Sequence, residues 1–414
     1  MQADRSPRDE ALPAPGAARA APTRMLLFLL VAMTAAAPLT LQIFLPALPV
    51  MQKAFAVAPG VAQLSLSLAI LANAVATLAY GPLSDRYGRR PVLLAGLLLF
   101  IVGSVACALA PQIGTLVVAR VLQAMGAAAG MVLARAIIRD LYDTEQAASA
   151  IAYLTMAMVV APMVAPSLGA LLIEGFGWRA VFVATAVVAL LLTGLTLACL
   201  VETRRASAAH AAGASLFAGA GALLTHRLFL RYLLQSSFAI GMFFSFLAGA
   251  PYYMLDILGR SATDYGLYFI LVSGAFMVGN FASARLVRRV GMHRLIAFGS
   301  WLSLASMALG VCWLALGEWT PLALFGPMTA AGFGNGLSIS NAMAGAVSVD
   351  PDRAGSASGL CGSLQMLLSA AVSQVVGMLQ DGTPYPTIAF MFTCALLSVA
   401  SFTWLQPRVG RRRG

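Results

Sequence analysis

Apolar residues fall in twelve long runs separated by short polar breaks. The runs lie near 25–47, 60–82, 91–110, 113–135, 148–172 and 179–200, then near 229–253, 265–283, 294–316, 321–345, 355–379 and 386–405. An α-helix needs about 20 apolar residues to cross a hydrocarbon core, and each run is near that length. Backbone polar groups in lipid must bond within their own segment, so the runs predict helices. The expected fold is an all-α membrane protein with twelve transmembrane helices. The first run is too long for a signal-peptide core, and no clear cleavage site follows it, which predicts a retained span.

The breaks divide the chain. Residues 1–24, rich in Ala, Pro and Arg, read as a disordered cytoplasmic tail. Residues 25–200 and 229–405 form two six-helix bundles, joined by a cytoplasmic linker at 201–228 and followed by a basic tail at 406–414. Within the linker, 214–224 is apolar enough for a short surface helix, and a plain connection is the alternative. The halves repeat one another. Asp143–Ala150 matches Asp350–Ala357 at an offset of 207 residues, and 81–96 matches 284–299 at an offset of 203, aligning Gly88 with Gly291 and Gly96 with Gly299. Two pseudo-symmetric six-helix bundles around a central cavity are one transporter plan.

Composition agrees with lipid as the solvent. The chain is 60% apolar and 10% charged, with mean hydropathy +0.86, where a soluble domain carries about 25% charge. The net charge of +11 does not mark a nucleic-acid surface, because the 26 basic residues lie mostly in breaks between apolar runs. With both termini inside, the inner breaks hold Arg86, Arg89, Arg90, Arg139, Arg204, Arg205, Arg285, Arg288, Arg289, Arg408 and Arg411. The outer ones hold only Lys53, Arg179 and Arg260. That bias fixes a cytoplasmic location for both termini. The five cysteines sit in apolar runs without a CxxC pair, and the three histidines are scattered. No metal, cofactor or catalytic cluster is expected.

Three motifs carry the functional reading. The densest polar stretch is Gly81-Pro82-Leu83-Ser84-Asp85-Arg86-Tyr87-Gly88-Arg89-Arg90-Pro91, a loop between two spans. Arg120 lies seven residues into the fourth span, in Arg120-Val-Leu-Gln123-Ala-Met-Gly126. A charge at that depth faces a cavity or a partner, or it snorkels to the headgroups. The fifth span carries Ala161-Pro162-Met163-Val164-Ala165-Pro166-Ser167-Leu168-Gly169-Ala170.

The first stretch resembles the loop between helices 2 and 3 of the major facilitator superfamily. The second is similar to that superfamily's Arg-x-x-Gln-x-x-Gly exporter pattern, and the third to its antiporter motif. Phe44–Pro49, Arg135–Leu141, Gly177–Phe182 and Ala354–Gly359 further resemble the Bcr/CflA subfamily, named for bicyclomycin and chloramphenicol efflux. The resemblance implies a gate of Asp85, Arg86, Gly88, Arg89, Arg90 and Asp140, with Pro166 and Gly169 shaping helix 5. In it Asp85 would meet the start of helix 11 near Gly355–Ser358 when the outer side is open, and Arg89 would meet Asp140. Asp85 becomes Arg288 in the second repeat, so only one half keeps this charge chemistry. Arg120 would serve proton transfer.

One departure matters. The subfamily carries an Asp three residues before Leu-Pro in helix 1, and here that position is Gln42. No Asp or Glu lies deep in any run. Gln42 and Arg120 lie at similar depth, so a Gln42–Arg120 hydrogen bond is expected, with both as coupling residues. The expected substrate lining is Gln42, Asn73, Arg120, Gln123, Met242, Phe243, Phe246, Asn335 and Gln365. Amides bond without a charge demand, while Met and Phe adapt to varied apolar shapes. The function expected is export of small amphipathic compounds by alternating access, with protons as the coupling ion. The partners are the substrate, protons and the lipid bilayer of the bacterial inner membrane, around a monomer. Export of one endogenous metabolite, or uncoupled movement, is the related alternative. A receptor or a membrane enzyme is the reading from another class.

Overall fold

The computed structural model describes residues 24–203 and 220–405. Apart from Arg24, the expected tails lie outside the described residues, as does the linker from 204 to 219. Fourteen α-helices fill the described part. They are α1 (Arg24–Gln42), α2 (Ala47–Ala54), α3 (Pro59–Tyr87), α4 (Arg89–Ala108), α5 (Ile113–Leu141), α6 (Thr144–Phe176), α7 (Arg179–Cys199) and α8 (Ala220–Thr225). The second half continues with α9 (Arg227–Tyr252), α10 (Ala262–Val290), α11 (Met292–Ala315), α12 (Pro321–Ser348), α13 (Ala354–Met378) and α14 (Tyr385–Trp404).

Without α2 and α8, twelve long helices remain, six in each bundle. Eleven are long and apolar enough to cross a membrane. The twelfth, α12, has Gly332, Gly334, Asn335, Gly336, Ser338 and Asn341 among its buried positions. It is sheltered by α9, α10 and α11, so its polar groups meet protein.

Three boundaries differ from the expectation. The first run is not one helix: α1 ends at Gln42, and the chain turns before α2. The break expected at 81–91 is almost entirely helical. α3 runs to Tyr87 and α4 starts at Arg89, with Gly88 alone between them at φ +101°. Only a residue without Cβ turns the chain there cheaply. Gly291 does the same between α10 and α11 at φ +87°. Third, α5 and α10 outrun their apolar runs, so Arg139, Arg285 and Arg288 ride on helices.

The repeat is visible in the packing. A Cβ on Gly96 of α4 would lie 2.3 Å from Ala129 of α5, and one on Gly126 would lie 2.7 Å from the Gly96 carbonyl oxygen. In the other half a Cβ on Gly299 of α11 would lie 2.3 Å from the Gly334 carbonyl oxygen of α12. The α4–α5 and α11–α12 crossings are therefore equivalent, and both depend on small residues letting backbones touch.

Among the described residues, the halves meet at one end. There a single apolar cluster spans them, joining Phe44, Leu48, Trp178 and Phe182 to Phe246, Tyr253, Phe269 and Phe325. Polar contacts reinforce it. Gln63 Nε2 donates to Ser373 Oγ at 2.6 Å, and Ser67 Oγ donates to Gln374 Oε1 at 2.6 Å. Ser167 donates to the Gly266 carbonyl at 2.9 Å, Glu174 accepts from the Thr263 amide at 2.8 Å, and Lys53 pairs with Asp256 at 2.6 Å. At the end carrying Gly88 each half has its own core, Leu29, Phe100 and Ile137 in one, Phe229, Ile296 and Phe402 in the other.

Candidate functional site

At the Gly88 end, the gate residues form a local network. Arg89 Nε donates to Asp140 Oδ2 at 3.0 Å, as the resemblance implied, and Arg89 Nη1 donates to Asp85. The expected contact of Asp85 with 355–358 belongs to the state open on the outer side. Asp85 does not engage 355–358, because the two cores are separate here and its carboxylate turns to its own half. Arg86 lies over the Tyr87 ring, with its guanidinium carbon 5.2 Å from the centroid. One partner escaped the sequence reading. Glu202 accepts from the amides of Arg89 at 2.9 Å and Arg90 at 3.1 Å, holding an acid at the N-terminus of α4. A Cβ on Gly88 would lie 2.7 Å from Glu202 Oε2.

Arg120 is 1% exposed, inside the first bundle. It does not snorkel. Its Nη1 donates to Gln123 Oε1 and, at 3.4 Å, to the Thr40 carbonyl; Nε donates to the Ser65 carbonyl at 3.4 Å. Gln123 Nε2 passes the network on to Ser104 at 2.8 Å and Thr185 at 3.0 Å. The Phe44 ring lies 3.9 Å from the guanidinium carbon. Desolvating an ion costs several kcal/mol. Carbonyl and amide acceptors, with a cation–π contact of up to about 2 kcal/mol, offset this where no carboxylate does.

The expected Gln42–Arg120 hydrogen bond is not formed. Gln42 Oε1 and Arg120 Nη2 are both buried without a partner. The turn after Gln42 explains it, since it lays the Phe44 ring on the guanidinium. In the same turn the Ile43 carbonyl meets α6, where a Cβ on Gly169 would lie 1.8 Å away. Pro166 sits one turn before Gly169 on that helix.

A cleft of about 410 Å³ lies between the halves at the sealed end, beside Lys53, Glu174, Asp256 and Arg260. Two further cavities between the halves contain residues of the expected lining. The larger of these two, about 390 Å³, opens between α3, α5 and α13 and is lined by Asn73, Thr77, Arg135, Arg139, Ser358 and Met366 among others. The smaller, about 180 Å³, lies between α6, α9, α10 and α12, with Met158, Pro162, Met163, Phe243, Phe276 and Asn335 in its wall. Of the expected lining, Asn73, Phe243 and Asn335 reach a cavity. Gln42, Arg120 and Gln123 are inside the first bundle. Met242 and Phe246 share the other face of α9 and are fully buried, with the Phe246 and Phe325 rings 5.1 Å apart. Gln365 turns to Ser236, 3.0 Å away.

Arg135, Arg139 and Met158 were missed as lining. Arg135 and Arg139 at i and i+4 on one apolar helix were the signal that could have found the first two.

The model of the Major Facilitator Superfamily matches residues 30–374. A Bacillus subtilis protein described as the uncharacterized MFS-type transporter YdgK is 32% identical over 405 residues, covering 93% of this chain and 96% of that one. A Haemophilus influenzae bicyclomycin resistance protein homolog is 27% identical over 391 residues, covering 91% and 95%. The partially occluded, inward-open structure of the Escherichia coli xylose transporter XylE superposes with TM-score 0.70 at 14% identity, covering 94% and 98%, which speaks for the fold alone. With twelve long helices in two repeated bundles, Gly88 and Gly291 at matching turns, and a family match across most of its length, this chain belongs to the Major Facilitator Superfamily, a class of transporters and not of enzymes.

Proposed function

We propose that this protein is a secondary transporter that exports small amphipathic compounds across a bacterial inner membrane by alternating access. The observation that carries the reading is the asymmetry between its ends. One end is sealed by an apolar cluster and polar bonds between the halves, while a cavity of about 390 Å³ lies between them toward the Arg-rich end. Basic residues mark the cytoplasmic side, so both termini face the cytoplasm and this conformation is open inward. Asp85, Arg89 and Asp140 form the inner gate. Resistance proteins among the relatives support drug-like substrates.

Proton coupling fits the retained Arg120 and Gly169 motifs, with Arg120 the charge at its centre and Gln42 its non-titrating neighbour. The test is expression in a host stripped of its own efflux pumps, with a susceptibility panel including bicyclomycin and chloramphenicol. Inhibitory concentrations should rise several-fold for at least one compound. Unchanged susceptibility across the panel, with the protein confirmed in the membrane and no counterflow in proteoliposomes, sinks the reading.

A further inference from the structure

The charge on the cavity walls is one-sided. Arg135 and Arg139 are the only charged residues among those lining it, and both are exposed to it. Neither is held by a carboxylate among the described residues. Asp140, next in sequence, is engaged by Arg89. Arg135 Nη2 points at the Met158 sulfur, 3.2 Å away, and a thioether is a weak acceptor. Two like charges one turn apart on a helix repel, and more strongly beside a low-dielectric wall. An anion between them offsets that repulsion. The topogenic role of basic residues accounts for Arg139 near the end of α5. It does not require Arg135, one turn deeper and turned to the cavity.

The facing wall is polar. Ser358 and Ser363 of α13 line it with hydroxyl groups. Asn73 adds an amide donor, while the Thr77 hydroxyl donates to the Ala74 carbonyl at 2.7 Å. The Met158 side chain that touches Arg135 also lines the apolar cavity with Met163, Phe243 and Phe276. The two spaces adjoin at that contact, one suited to a charged head and the other to an apolar body.

We propose, resting on the transporter reading above, that Arg135 and Arg139 form a head-group site for organic anions. The substrates are amphiphiles that bear a carboxylate or sulfonate on an aromatic or branched apolar body, and cations of the same shape are disfavoured. No carboxylate lines these walls to hold a cation, and two guanidinium groups repel it.

The test uses three compounds of one shape: naphthoate, naphthylmethanol and naphthylmethylammonium. Binding to the purified full-length protein is measured by calorimetry, and flux in proteoliposomes. Naphthoate should bind roughly tenfold or more tightly than the ammonium compound, and added salt should weaken naphthoate selectively. In the Arg135→Gln/Arg139→Gln variant the ratio of naphthoate to alcohol affinity should fall to about one, while Arg135→Lys/Arg139→Lys keeps much of it. An affinity ratio near one or favouring the cation in the wild type overturns the proposal. So does a ratio that survives in the Gln pair, or no naphthoate binding at about 1 mM. If the Gln pair does not yield folded protein, the wild-type ratio and its salt dependence decide. Movement of the alcohol without charge preference overturns the head-group site and leaves transport standing. Charge-selective binding with no flux of any compound upholds the site and overturns transport.

Discussion

α5 and α12 hold equivalent places in the two halves and carry opposite chemistry. Gly126 of α5 meets Gly96 as Gly334 of α12 meets Gly299. In that register, Arg120, Arg135 and Arg139 face Met328, Met343 and Val347 as counterparts. Met328 is fully buried, packed in the cluster that closes one end, and it also lines the apolar cavity. The shared frame fixes how the helices cross, and the side chains divide the labour. On this helix pair the first half carries the charge, and its counterpart in the second half is apolar at the same positions.

The most severe test of this division reverses it. Met328→Arg would bury a guanidinium among Tyr265, Phe269 and Phe325, without the carbonyl and amide acceptors that Arg120 enjoys. A loss of more than about 3 kcal/mol is expected, read as a collapsed yield of folded protein and a lower melting temperature. A normal melt would mean that the second half tolerates charge as well as the first.

The opposite exchange, Arg120→Met, should leave a folded protein that does not transport. Replacing a buried charge by a well-packed apolar side chain is often neutral or stabilising, so the melting temperature should not fall while flux drops to background. Arg120→Lys should keep partial flux, since the charge survives without the planar fork. Full transport by Arg120→Met would reduce Arg120 to packing.

A smaller effect is expected at the inner gate. Asp85→Asn loses a charge-assisted contact to Arg89, so flux should fall several-fold at wild-type expression. Arg288→Asn, at the matching place in the second repeat, should change it little. Equal effects would show that the gate draws on both repeats alike.

The mildest change concerns coupling. Gln42 cannot titrate, and its Oε1, like Arg120 Nη2, is buried without a partner. Gln42→Asp restores an exchangeable proton at that point. Export driven by an imposed pH gradient should steepen relative to the wild type, and an uncoupler should abolish the gain. If the wild type already responds fully and the variant adds nothing, coupling resides elsewhere.

The spans were legible because the bilayer imposes their length. Even the Gly- and Asn-rich α12 stood out as the run at 321–345. The breaks in helices were less legible. Nothing in the uniform apolar character of 25–47 marks where α1 stops, yet that turn decides what Arg120 touches. Facing was the hardest to read. In a helix apolar on all sides, periodicity does not tell cavity from core, so Phe243 could not be separated from Met242 and Phe246. Arg139 was counted as an orientation signal because its run was expected to end at 135, and Arg135 was noted only as part of the subfamily segment. The helix continues to Leu141, which makes both of them wall charges.

The Lys53–Asp256 pair at the sealed end has a physiological consequence. Its side chains are 67% and 24% exposed. So exposed an ion pair is worth about 0–1 kcal/mol, and dissolved salt weakens it further. The seal instead rests on buried rings and amide bonds, which ions in the medium do not reach. The resting balance between open and shut should therefore be insensitive to the salinity surrounding the cell. On the proposed orientation, brackish and fresh surroundings would meet the same closed door.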